Sequence, residues 1–184
     1  MRISPHLTRL LSCLTLTAVH LAANAAAPAA PEIKRTGIPN STFPISLAVS
    51  VPANTPITFF AGTLADVSDP AAPKGSYEAY GNTQTQTTSV LKKIEALLAS
   101  EGLTMGDVVK VNVFLVGDPK LDGKMDFTGL NASFSQFFGT AAQPNKPVRT
   151  ALQVAALPMP GGLVEIEMTA AKVAAPTVPK PKKK

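Results

Sequence analysis

Cysteine, histidine and tryptophan are almost missing from this 184-residue chain: it has one cysteine, Cys13, two histidines, His6 and His20, and no tryptophan. The three that exist fall within the first 25 positions, which read as a secretory signal. Arg2 and Arg9 make a positive start, Leu10 to Ala23 is an apolar run of small residues and leucines, and Ala23-Asn24-Ala25 offers the small-x-small pattern of a cleavage site. The run is short of the ~20 apolar residues of a bilayer span; its other reading is a membrane anchor. Cleavage near Ala25 leaves no thiol and no imidazole. The mature chain then forms no disulfide, holds no His/Cys zinc ion and builds neither a Ser-His-Asp triad nor a cysteine nucleophile. Any chemistry falls to carboxylates, Arg, Lys, Tyr, hydroxyls or backbone groups, in an exported protein that is periplasmic or secreted.

A basic face is also lacking. The formal net charge is +5, but Arg2, Arg9, Lys180, Lys182, Lys183 and Lys184 supply six of the seventeen basic residues from the two ends. Between them eleven basic residues meet twelve acidic ones, which argues against a nucleic-acid partner. A hydrophobic share of 45% against 16% charged residues suits a chain that folds, and the length suits one domain. Composition divides the chain into the signal at 1–25, an Ala/Pro-rich linker at 26–44, a folded domain at 45–172 and a disordered Pro/Lys tail at 173–184. In the tail each proline removes a backbone donor and fixes φ. A solvated end is its plain reading, and a tether to an anionic surface the functional one.

Within the domain, Ile45 to Val51 and Ile57 to Gly62 read as strands, and residues 66–82, with Pro70, Pro73, Gly75 and Gly81, as a loop. A helix starts at Thr87 or Thr88, with Val90, Leu91, Ile94, Leu97 and Leu98 on one stripe and Gly102 at its end. Asp107 to Val116 alternates as a strand, with Val109, Val111, Val113 and Leu115 on one face. A second helix carries Phe127, Leu130, Phe134, Phe137 and Phe138 as core, followed by strands Arg149 to Leu157 and Leu163 to Ala171. The order ββ-α-β-α-ββ has no repeated βαβ unit. It predicts an α+β fold, a mixed β-sheet with two helices packed on one face, whose bare face a subunit partner would cover.

Two positions stand out chemically. On the last strand Glu165 and Glu167 share one face about 7 Å apart, either as a wet outer surface or with one of them in a cleft handling a proton or a water. Arg149 is the only arginine after Arg35 in a chain that otherwise uses lysine. Its planar fork of donors grips a carboxylate bidentately, so it is a surface residue, a structural salt bridge or an anion clamp.

Four blocks resemble the reactive-intermediate deaminase (RidA) family: 102–115, Leu130-Asn131-Ala132-Ser133-Phe134-Ser135-Gln136-Phe137-Phe138, Pro147-Val148-Arg149-Thr150-Ala151-Leu152-Gln153-Val154 with Ala155 to Pro158, and Val164-Glu165-Ile166-Glu167. The resemblance covers most of 45–171. It implies a chorismate-mutase-like α+β fold assembled as a homotrimer, with sites in the clefts between subunits. It also implies hydrolysis of 2-imino acids to 2-keto acids and ammonia, with no cofactor and no metal. The family's carboxylate-binding arginine falls on Arg149 and its water-positioning acid on Glu165. Asn131 takes the place of the second-helix asparagine, and Ala61 and Gly62 line the substrate side. The chain departs from the pattern at the pocket wall: the first-strand tyrosine falls near Ala48, the serine before the glycine on Ala61, and a common cysteine on Ala151. Tyr77 or Tyr80 is the candidate substitute for the lost phenol.

The expected activity is therefore hydrolytic deamination of imine/enamine intermediates, with a small carboxylate-bearing substrate, no nucleic acid and no membrane span. A second hypothesis is a non-catalytic small-carboxylate-binding or holdase-like trimer using the same cleft. A third, ribonuclease activity, is disfavoured by the near-neutral folded part and the missing histidine.

Overall fold

The computed structural model describes residues 31–174. The signal segment at 1–25 and the tail residues 175–184 lie outside the described residues. The chain forms β1 (Lys34–Gly37), β2 (Ser46–Ser50), β3 (Ile57–Leu64), the one-turn α1 (Tyr77–Tyr80), α2 (Thr83–Ser100), β4 (Val108–Val116), α3 (Phe127–Phe137), β5 (Val148–Val154) and β6 (Val164–Ala171). Four strands make one mixed sheet in the order β3-β6-β4-β5, with β4 and β5 parallel and the other neighbours antiparallel. The sheet carries α2 and α3 on one face, as an α+β fold; β1 and β2 form a separate antiparallel pair.

Period decides which face is which. Val111, Val113 and Leu115 of β4 and Val164, Ile166 and Met168 of β6 are buried. They pack beneath Val90, Leu91, Ile94 and Leu98 of α2 and Leu130, Phe134 and Phe138 of α3. The intervening Asn112, Phe114, Glu165 and Glu167 stand on the opposite, helix-free face, only half-buried. That face keeps Phe59, 79% exposed, and Leu152, 40% exposed, in solvent.

The sequence expectations differ from the structure in several places, and two residues expected on buried stripes face solvent instead: Leu97 of α2, 42% exposed, and Phe127 of α3, 40% exposed. Residues 34–37, inside the expected linker, are a strand, because Arg35 donates to the carbonyls of Val108, Lys146 and Gly106 at 2.9, 2.9 and 3.0 Å and ties this polar segment to the domain. Helix α2 begins at Thr83, four residues before Thr87: Asn82 accepts from the Thr85 amide at 2.9 Å and caps the polar first turn, which no apolar stripe marks. The loop at 66–82 contains α1, capped by Ser76. The ends expected at Gly102 and Gly139 do take left-handed φ of 69° and 72°.

Candidate functional site

Strand β5 places Arg149 opposite Val111 of β4, so its side chain rises on the helix side of the sheet, under α3. There Nη2 donates to Oδ1 of Asn131 at 2.7 Å. Three rings surround the guanidinium: the centroid of Phe134 lies 4.4 Å from Cζ, and those of Phe43 and Phe127 lie 5.5 Å away. Rings over a cation attract it through their quadrupoles, but they do not hydrogen-bond its edges. Nη1 is buried and has no partner among the described residues. Burial lowers the pKa of Arg149 to about 10, which leaves it charged at neutral pH. A buried cationic donor without an acceptor is costly, a cost that any acceptor placed beside Nη1 would relieve.

Strand β6 turns Glu165 to the other face, opposite Phe114 of β4 and Leu64 of β3. The pairing of β3 with β6 slips between Phe60 and Thr63, and this bulge holds Ala61 and Gly62. A Cβ at Gly62 would collide with Oε1 of Glu165. Glycine here is what lets the carboxylate lie against the backbone of β3. Glu165 opens to a hollow of about 340 Å³ whose wall includes Phe114, Val154, Leu157, Pro158 and Glu167. Glu167 is engaged elsewhere: its Oε1 accepts from Asn112 Nδ2 at 2.5 Å.

The structure thus brings the expected site residues together in two groups. Arg149 and Asn131 meet on the helix side. Gly62 meets Glu165 on the outer side, with Ala61 beside it in the bulge. Within one chain Arg149 and Glu165 do not meet, because they lie on opposite faces of the sheet with β4 between their strands. Tyr77 and Tyr80 line clefts beside Glu78 and Val67 respectively, away from both groups. Sequence reasoning placed Phe127 and Phe134 in the core and missed their role around Arg149. It gave Phe43 no role, since a lone phenylalanine in a loop belongs to no periodic pattern. Among the described residues no group of three or more His, Cys, Asp or Glu is placed to hold a metal ion.

Comparison with known proteins supplies the relationship. The family model described as Endoribonuclease L-PSP matches residues 50–172. A RutC family protein of Pyrococcus horikoshii is 35% identical over 103 residues, covering 56% of this chain and 73% of that one. TdcF of Escherichia coli strain K12, provisionally named a reactive intermediate deaminase, is 33% identical over 97 residues, covering 53% of this chain and 69% of its own. In fold, a crystal structure of a Rid-family protein of unknown function from Yersinia pestis superposes with a TM-score of 0.57 at 22% identity, covering 76% of this chain and 98% of that one. With its β3-to-β6 domain inside the matched span, this chain belongs to the Endoribonuclease L-PSP family, which also takes in the RutC and RidA proteins.

Proposed function

We propose that this protein hydrolyses reactive imines and enamines, turning a 2-imino acid and water into a 2-oxo acid and ammonia. The observation that carries the reading is Arg149: a half-buried guanidinium with one nitrogen on Asn131 and the other, itself buried, without an acceptor among the described residues. That geometry fits a small carboxylate, which would take the free edge of the fork.

The chemistry asks little more. The oxygen of water adds to the imine carbon, a proton reaches nitrogen, the C–N bond breaks and ammonia leaves. An imine carbon is already electrophilic, so holding the acid end and orienting one water supplies much of the assistance. In this reading Glu165 accepts a hydrogen bond from that water and takes its proton. Because the two side chains occupy opposite faces of one sheet, the working site joins Arg149 of one copy to Glu165 of another, in a homotrimer whose clefts are the sites. The reaction takes place outside the cytoplasm if the N-terminal segment acts as the signal it resembles.

The test gives the purified protein 2-iminopropanoate or 2-iminobutanoate generated in situ and follows release of the 2-oxo acid. Acceleration that Arg149→Ala abolishes is expected. An unaccelerated reaction, or a variant as fast as the parent, refutes the proposal. One observation favours the non-catalytic binder as a second reading: the Arg149–Asn131 group is complete within one chain while Glu165 is remote from it. Binding of small carboxylates without turnover would select that reading.

A further inference from the structure

We propose that Phe43 is a swinging cover over Arg149 and makes the site prefer acids that carry an apolar or aromatic substituent. The inference rests on the carboxylate-clamp reading of Arg149 and adds what the clamp selects. Of the three rings around the guanidinium, Phe134 is fully buried, while Phe127 is 40% exposed but is held in place as the first residue of α3. Phe43 alone comes from a loop, between β1 and β2, and is only half-buried.

The backbone just after it is fixed. Ser46 donates its amide to Pro147 O at 2.8 Å and its hydroxyl to Lys146 O at 2.7 Å, both in the segment that leads into β5. Ahead of it the Phe43 amide donates to the Ser41 hydroxyl at 3.1 Å. The ring can therefore rotate about its own side-chain bonds while its Cα stays near Arg149. Nη1 is out of contact with water, so a carboxylate reaches it when a neighbouring side chain moves, and Phe43 is the one ring of the three whose backbone lies in a loop.

The same contact sets specificity. Phe43 and Phe127 rings lie 6.5 Å apart, tilted by 33°, and each is 5.5 Å from Cζ. A carboxylate on Nη1 brings the carbon next to it, and the substituent on that carbon, within reach of these two rings. Among the described residues Asn131 is the only polar side chain that hydrogen-bonds the guanidinium, and the two rings nearest that substituent are apolar, which rewards an apolar one.

The experiment measures affinities of the full chain for stable 2-oxo acids by calorimetry: phenylpyruvate and 4-methyl-2-oxopentanoate against 2-oxobutanoate and 2-oxoglutarate. The expected preference for the first pair is about tenfold, the effect of burying roughly two further methylene equivalents. Phe43→Ala should shrink that ratio to about twofold, and Phe43→Leu, which keeps apolar bulk, should restore part of it. The diagnostic quantity is the ratio, which a general loss of folding would not change selectively. Equal affinity for all four acids in the parent, or an unchanged ratio in Phe43→Ala, overturns the inference while leaving the clamp intact. If no 2-oxo acid binds the parent, the clamp reading and the inference fall together.

Discussion

At Glu165 the carboxylate lies against a backbone position where no side chain fits. The atom that a Gly62 methyl would strike is the far end of a flexible side chain, not backbone, and Gly62 does not have a positive φ. Gly62→Ala should therefore cost little stability, about 1 kcal/mol or less, because the carboxylate can turn away. Turning away is what removes it from the position proposed for water activation. Deaminase turnover is expected to fall by about tenfold to a hundredfold, with carboxylate affinity within about twofold of the parent. Steady-state kinetics beside ligand calorimetry check this; a variant that turns over normally would remove Glu165 from the mechanism. In the sequence Glu165 stood out in the Val164-Glu165-Ile166-Glu167 block, and Gly62 only as the glycine that ends the apolar run from Ile57. That Gly62 makes room for Glu165 was not legible, because their strands are about a hundred residues apart and only the bulge in β3 sets their contact.

The elements were legible where burial is periodic and obscure where polar groups do the holding. Valines and leucines in β4, α2 and β6 announced their buried faces by spacing, and those faces are buried except at Leu97 of α2. Strand β1, Lys34-Arg35-Thr36-Gly37, has no apolar rhythm; pairing with β2 and the three carbonyl contacts of Arg35 keep it in place. The start of α2 was hidden for the same reason. Its first buried residues include Thr83, Gln86 and Thr87, all polar. Gln86 is fully buried, donates to the carbonyls of Gly81 and Gly161 at 3.0 Å each, and accepts from the Leu163 amide at 2.8 Å. It cross-links the beginning of α2 to the turn before β6, the strand that presents Glu165. Gln86→Leu fills a similar volume but takes the partner from one buried amide and two carbonyls of half-buried glycines, at an expected loss of about 1–3 kcal/mol. Urea unfolding measures it; a loss under about 0.5 kcal/mol would mean that water or a shifted turn satisfies those groups.

At the scale of the molecule, the two halves of the candidate site face away from each other, and the sequence concealed this. Arg149 and Glu165 sit on strands consecutive in the chain, yet β4 inserts between them in the sheet, and their positions alternate to opposite faces. Two strand spacings, about 9.6 Å, three residues along β4, about 10 Å, and the thickness of the sheet separate them. A second copy can close that gap if its outer face, with exposed Phe59 and Leu152, packs near the Arg149 edge strand of the first. Burying such apolar side chains is the physical incentive for assembly. If Arg149 of one copy serves Glu165 of its neighbour, two inactive variants should rescue each other. In an equal mixture of Arg149→Ala and Glu165→Ala chains assembled together, half of the sites receive an intact arginine and half of those an intact glutamate. Activity of about a quarter of the parent is then expected from random assembly, against essentially none from either variant alone. If the pair instead worked within one chain, every chain in the mixture would lack one member and the mixture would stay inactive.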